Sequence, residues 1–154
     1  MEDIRIVLAG PNDADLVGIM AYELLCELFG DSLAVSDEEV LETSRQLIRE
    51  DSRFSALIAF NGDNKPVGVM TLADSVALFA KGRFGVITEF FVDPGKRSHG
   101  VGEKMIDQAK QLGRKRGWSC IELNAPGGEG GQRAVNFYLR EGFRDMGPTM
   151  KLDL

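Results

Sequence analysis

Histidine and cysteine are scarce in this chain. One histidine, His99, and two cysteines, Cys26 and Cys120, stand among 154 residues. That is too few for a zinc site of the usual Cys/His kind, so no metal is expected. Cationic excess is missing as well. Lys and Arg number 18 against 24 Asp and Glu, a formal net charge of -6. Such a balance gives no general attraction to nucleic acid or anionic lipid, and neither is an expected partner. An anionic ligand would have to be held by local geometry. No apolar run approaches the roughly 20 residues needed to span a bilayer. The N-terminus lacks the basic stretch and apolar core of a secretory leader, so the expected compartment is the cytoplasm. Both cysteines fall in apolar patterns and are expected to be reduced, buried thiols.

What is present is ordinary globular material, 44% hydrophobic and 27% charged. Residues 1–154 suit one domain with its own core. The first strand reads Ile4 to Leu8. A helix follows from about Asp13 to Phe29, capped by Asn12 or Asp13, with Leu16, Met20, Leu24 and Leu28 recurring on one face. Ser36 and Glu39 form a capping box for a second, more polar helix to about Glu50. Phe54 to Phe60 is nearly all apolar, as a central strand should be. Asn61 to Asn64 is turn chemistry, and Pro66 to Ala73 is the return strand. Val76 to Phe84 either extends this hairpin or forms a connection.

Gly85 to Val92 is the next strand, closed by Asp93-Pro94-Gly95. The long helix runs from about Gly100 to the basic turn Arg114-Lys115-Arg116, with Gly117 as its C-cap. Ser119 to Asn124 is a strand. Pro126 to Gly131 is a glycine loop, and Gln132 to Glu141 a short helix. The tail from Phe143 carries two short strands. This order predicts an α/β (α+β) mixed sheet of about six to seven mostly antiparallel strands. One parallel crossover and about four helices on both faces complete it.

The stretch that organises the chain is the turn Arg97-Ser98-His99-Gly100-Val101-Gly102, set where the long helix begins. A helix N-terminus offers unpaired N–H groups and partial positive charge. Glycines beside it let a ligand approach the backbone. Together they make an anion site, most often for phosphate.

With this turn, and with Phe137, Tyr138, Gly142 and Phe143 further on, the chain resembles the GNAT superfamily of acyl-CoA-dependent N-acyltransferases. Arg97, Gly100 and Gly102 match that family's signature turn. The element order covers essentially the whole chain. The resemblance implies acetyl-CoA as co-substrate and a small-molecule amine as acceptor, attacked directly in a ternary complex. N–H groups from Ser98 through His99, Gly100 and Val101 to Gly102 would cradle the pyrophosphate. The backbone of Phe91 and Val92, at a bulge in the preceding strand, would pair with the pantetheine arm. Lys96, Arg97 and Lys104 are candidate phosphate contacts. His99 is expected to face solvent.

Tyr138 matches the family's general acid, and a phenol near pKa 10 keeps its proton at neutral pH. Glu89 is the candidate base. A carboxylate in the apolar run Val86 to Val92 needs a reason to be there. It could deprotonate the amine, bind its cationic form, or pair with a neighbouring strand. Some relatives carry the acid one position earlier, at Thr88. Many have Asn where this chain has Gly131, and Asn136 or Asn124 are the candidate substitutes. Dimers are frequent in the family, which makes a homodimer an expectation by analogy.

Two rival readings differ in class. One is a non-catalytic acyl-CoA sensor of the same fold. The other is a dinucleotide-binding domain, disfavoured by the missing third glycine and the missing acidic residue about 20 positions on.

Overall fold

In a computed structural model, residues 3–154 are described. The first two residues of the expected single domain lie outside them. The chain divides into two compact units, Met1–Glu122 and Leu123–Leu154. The first unit holds β1 (Arg5–Leu8), α1 (Ala14–Phe29), α2 (Asp37–Glu50), β2 (Phe54–Phe60), β3 (Pro66–Ala77), β4 (Gly82–Val92) and α3 (Val101–Arg116). β5 (Ile121–Leu123) ends at the division, and α4 (Gln132–Arg140) lies in the second unit.

The sheet order is β1-β2-β3-β4-β5. The first four strands pair antiparallel in sequence. β5 joins β4 in parallel: the Ser119 N–H donates to the Arg83 carbonyl and the Gly85 N–H to the Cys120 carbonyl, both at 3.0 Å. The ambiguous stretch after Ala73 extends the hairpin, so that β3 and β4 pair as far as Ala77 opposite Gly82.

Strand alternation sends side chains to two faces. On one face Val17 and Met20 of α1 pack with Ala56, Ile58, Val69 and Phe91. On the other, Met105 of α3 sits so close to Gly68 that an added Cβ there would lie 2.9 Å from its sulfur. α2 starts at the expected capping box, with the Glu39 N–H donating to Ser36 Oγ at 3.1 Å and the Ser36 N–H to Glu39 Oε1 at 3.0 Å. It is more polar than α1, and Ser44 is its one buried residue.

Several expectations are corrected. Asp13 holds the N-cap position of α1, but its side chain makes no capping bond to that helix. A short 3-10 turn at Pro11–Asp13 precedes it, and the Asp13 carboxylate turns back to accept the Gly10 N–H at 2.8 Å. The buried face of α1 is Ala14, Val17, Gly18, Met20 and Ala21, while Leu28 is exposed. Both cysteines are exposed. Cys26 lies in the last turns of α1, beyond the residues that the sheet covers, and Cys120 precedes β5 rather than lying within it.

The sheet has five strands, not six or seven, among the described residues. The tail forms no strand there. Pro148 has no N–H to give a ladder, and Met146, Met150 and Leu152 are exposed rather than laid on a sheet face.

Candidate active site

The site in the first unit begins with an irregularity in β4. Thr71 pairs with Glu89, yet the next residue, Leu72, pairs with Ile87. Thr88 is the extra residue, a bulge that re-aims the side chains around it. The bulge is therefore at Thr88 and not at Phe91-Val92, where β3 and β4 pair in regular register as Val69 with Phe91 and Gly68 with Val92.

At this bulge a small hydroxyl network grips Glu89. Thr71 Oγ1 donates to Glu89 Oε1 at 2.5 Å, and Thr88 Oγ1 lies 3.0 Å from the same oxygen. The two hydroxyls are 2.7 Å apart. The Glu89 N–H donates back to Thr71 Oγ1 at 2.9 Å. Among the described residues, Oε2 of Glu89 has no hydrogen-bond partner. No ion pair to a neighbouring strand accounts for this carboxylate; hydroxyls hold it instead. Thr71 is 1% exposed, so its hydroxyl is fixed by packing as well as by hydrogen bonds. Thr71 was not singled out in the sequence. The signal that could have found it is a hydroxyl inside the apolar run of β3.

Glu89 and Thr71 line a cavity of about 310 Å³ that is otherwise walled by α1, α2, Val35 between them and Phe54 of β2. Such a volume is at the lower end of the range for small-molecule sites, about 300–1,000 Å³. At the cavity wall α1 and α2 sit tightly together. An added Cβ at Gly18 would meet Leu41 at 3.0 Å and Ser44 at 3.2 Å.

β4 leads from Glu89 into the turn. Phe91 is buried, so its ring serves the core and only its backbone is available. β5 has three residues against eleven in β4 and meets it near Gly85. Among the described residues, β3 alone pairs with the part of β4 that ends at Phe91 and Val92.

Pro94–Lys96 form a short 3-10 turn, and Asp93 accepts the Gly95 N–H at 3.1 Å. Ser98 at φ 66° and Gly100 at φ 85° are left-handed. Gly100 is the N-cap of α3 and has no side chain to cap it. A serine or aspartate there would satisfy first-turn N–H groups itself. This cradle fits a phosphate through backbone N–H groups, with Val101, 1% exposed, contributing only its backbone. Glu103 stands in the same first turn and is the acidic neighbour that an anion would meet. His99 is exposed.

The Arg97 guanidinium does something the motif did not indicate. Nη1 and Nη2 donate to the two carboxylate oxygens of Glu27, both at 2.7 Å, and Nε donates to the Val92 carbonyl at 2.8 Å. It lies 5.6 Å from the centre of the Phe91 ring. Arg97 thus ties the end of α1, the end of β4 and the turn together. The hydrogen bond from Arg97 holds the Glu27 carboxyl below its ordinary pKa.

In the second unit α4 carries Tyr138. Its ring meets Phe137 at 5.5 Å and Phe143 at 5.6 Å, both edge-on. Burial pushes the phenol up to about 12, so it keeps its proton across the neutral range. Asn136 is exposed, and its Oδ1 accepts from Gln132 Nε2 at 2.9 Å, one turn away. Asn124 Oδ1 accepts from Thr149 Oγ1 at 2.9 Å. Gly131 has a physical reason to be glycine, since any Cβ would overlap the backbone of Pro126. Among the described residues, no group of three or more His, Cys, Asp or Glu could hold a metal ion. No helix among them is long and apolar enough to cross a membrane.

A mixed sheet, a bulged strand and a glycine-capped helix N-terminus following it define a class of fold. The chain belongs to the GNAT acetyltransferase family, whose model matches residues 19–143. An uncharacterized N-acetyltransferase of Methanocaldococcus jannaschii is 32% identical over 100 residues, 64% of this chain. The match spans only 42% of that protein's length. Among solved structures, an aminoglycoside acetyltransferase from an uncultured soil metagenomic sample has a TM-score of 0.80 at 20% identity, covering 99% of both chains. A ribosomal-protein-alanine N-acetyltransferase from Brucella melitensis has a TM-score of 0.75 at 20% identity, covering 99% of this chain and 100% of that one. At these identities the structural likeness speaks for the fold alone.

Proposed function

We propose that this chain is an acetyl-CoA-dependent N-acetyltransferase acting on a small primary amine. The observation that carries the reading is the Glu89 carboxylate. It is gripped on one oxygen by Thr71 and Thr88 and lines a cavity, on the strand that runs into a helix N-terminus without a side-chain cap. Acetyl-CoA, when bound, supplies an acyl thioester. Backbone N–H groups of Ser98, His99, Gly100, Val101 and Gly102 would hold its pyrophosphate, and the backbone of Phe91 and Val92 its pantetheine arm.

Glu89 takes the proton of the amine at Oε2, the oxygen left over by the hydroxyl network. Tyr138 holds a proton at its phenol oxygen for the departing thiol. Its raised pKa favours a steady hydrogen-bond donor over ready ionisation, and general-acid help of this kind is worth about 10²–10⁴ in rate. Asn136 and Asn124 are tied to neighbouring side chains, which favours structural roles over cofactor contact. We read residues 1–154 as a single N-acetyltransferase domain. The family match supports this, since residues 19–143 run through both compact units.

The test is release of free thiol from acetyl-CoA in the presence of a broad amine panel, with acetyl-CoA binding followed by calorimetry. Turnover that falls about 10²-fold or more in Glu89→Gln, with binding retained, is the expected result. A wild-type chain that binds acetyl-CoA and is inert toward every amine would instead be a sensor.

A further inference from the structure

The cavity carries information about the acceptor, and the inference rests on the acetyl-transfer reading above. Its walls from the helices are apolar: Val17, Ala21 and Leu25 from α1, Val40 and Leu47 from α2. Three polar residues also line it, and two of them have their hydroxyl protons engaged while the third, Glu39, has one carboxylate oxygen engaged. Ser44 Oγ donates to the Ala14 carbonyl at 2.7 Å. Thr43 Oγ1 donates to the Glu39 carbonyl at 2.7 Å. Glu39 Oε1 accepts the Ser36 N–H as the capping box of α2. On the sheet side, Thr71 gives its proton to Glu89. Among the described residues, what remains for a ligand is one oxygen on each of two carboxylates, Oε2 of Glu89 on the sheet side and Oε2 of the exposed Glu39 on α2, between apolar walls.

We infer that this chamber between α1, α2 and β4 is the acceptor site, and that it takes a primary amine on a compact apolar body, with its nitrogen at Glu89. Glu89, the one carboxylate on the sheet side, matches one ammonium on the ligand. The apolar walls favour a hydrocarbon body by roughly 25 cal/mol per Å² buried. A polyhydroxylated amine of similar size would enter with hydroxyls that find no partners, and an unpaired buried hydroxyl is costly. A second ammonium would have only Glu39 to meet, an exposed carboxylate already held on one oxygen by the cap of α2. The chamber therefore selects against amino sugars and polyamines by what it lacks, and for aryl-alkyl or branched alkyl amines by what its walls supply.

Two measurements test this. Thiol release from acetyl-CoA is compared for 2-phenylethylamine, n-hexylamine, glucosamine and spermidine. Binding of the same amines is followed by saturation-transfer NMR, which needs no turnover. The expected result is a kcat/KM at least about tenfold higher for the two apolar amines. Their NMR signal should disappear in Ala21→Leu, which fills the chamber. Leu25→Ala, which widens the same wall, should shift preference toward 4-phenylbutylamine, so the inference can be tested even where Ala21→Leu does not fold.

Glucosamine or spermidine turned over best would overturn the inference and leave acetyl transfer standing. Apolar amines that bind and are lost in Ala21→Leu, with no thiol released, would uphold the chamber and overturn the transfer reading. Binding indifferent to both substitutions would place the acceptor elsewhere.

Discussion

The proposed phosphate cradle and the proposed acceptor chamber are built by opposite means. The cradle is local: a handful of consecutive residues, two of them left-handed, lead into one helix. Its donors are backbone N–H groups, so side chains there matter chiefly for the conformations they allow. The chamber is assembled from α1, α2, β2, β3 and β4, which are far apart in sequence. Its chemistry rests on side chains whose hydrogen bonds are mostly directed back into the fold. A local site tolerates much change in its surroundings, whereas an assembled one depends on every wall. Arg97 links the two, because it stands in the turn and grips Glu27 on α1, the helix whose earlier residues wall the chamber.

Four perturbations would break or sharpen this contrast. The largest effect is expected at Tyr138, outside both regions. Tyr138→Phe should lower kcat about 10²–10⁴-fold with acetyl-CoA binding unchanged by calorimetry. The phenol is raised by burial to about 12. Its folding contribution is then complete below its ordinary pKa of about 10 and is lost as pH rises through about 12. An absorbance titration of Tyr22→Phe, which leaves this phenol alone, should show ionisation late, and a midpoint near the ordinary value would contradict the burial.

Next is Thr71→Val, a change in the chamber only. Hydrogen bonds to charged groups are worth about 1.5–3 kcal/mol, so kcat should fall about tenfold or more while acetyl-CoA binding stays as it was. Thr71→Ser should restore kcat. Loss of stability with kcat unchanged would make Thr71 merely structural.

Gly100→Val addresses the cradle only. A β-branched residue in the left-handed region costs about 1–2 kcal/mol. The KM for acetyl-CoA should rise and the melting temperature should drop, while relative preference among amines stays as it was. A changed amine preference would erase the separation of the two regions.

Glu27→Gln, at the link between them, should have the smallest effect. The pair is partly exposed, so about 1 kcal/mol or less is expected. Arg97 holds the Glu27 carboxyl below its ordinary value of about 4.3. That contribution is present above the ordinary value and lost as pH falls below it. Denaturation midpoints of variant and wild type should differ at pH 7 and converge in acid.

Much of this was legible in the residues. The capping box at Ser36 and Glu39 needs only two side chains at helical spacing, and it stands as read. β2 keeps the expected bounds because a run of apolar residues between turn signals has little else to become. The tail misled, since Met146, Met150 and Leu152 read as strand residues but have no ladder among the described residues. The cysteines misled because an apolar neighbourhood in sequence does not say which side of a helix or strand is covered. The bulge lies a few positions before its expected place, because register is a property of two strands and the residues of β4 alone do not fix it.

By itself, then, the sequence determined the elements, the family and the glycine-bearing turn. These depend on short-range sterics and on periodicity, which neighbouring residues settle among themselves. Tertiary structure alone decided that Thr88 is the extra residue of β4, that Thr71 reaches Glu89 across the ladder, and that Arg97 turns to Glu27 on α1. It alone opened a chamber between two helices and a sheet. Each of these is a meeting of groups distant along the chain, and only the packed fold fixes which distant groups meet.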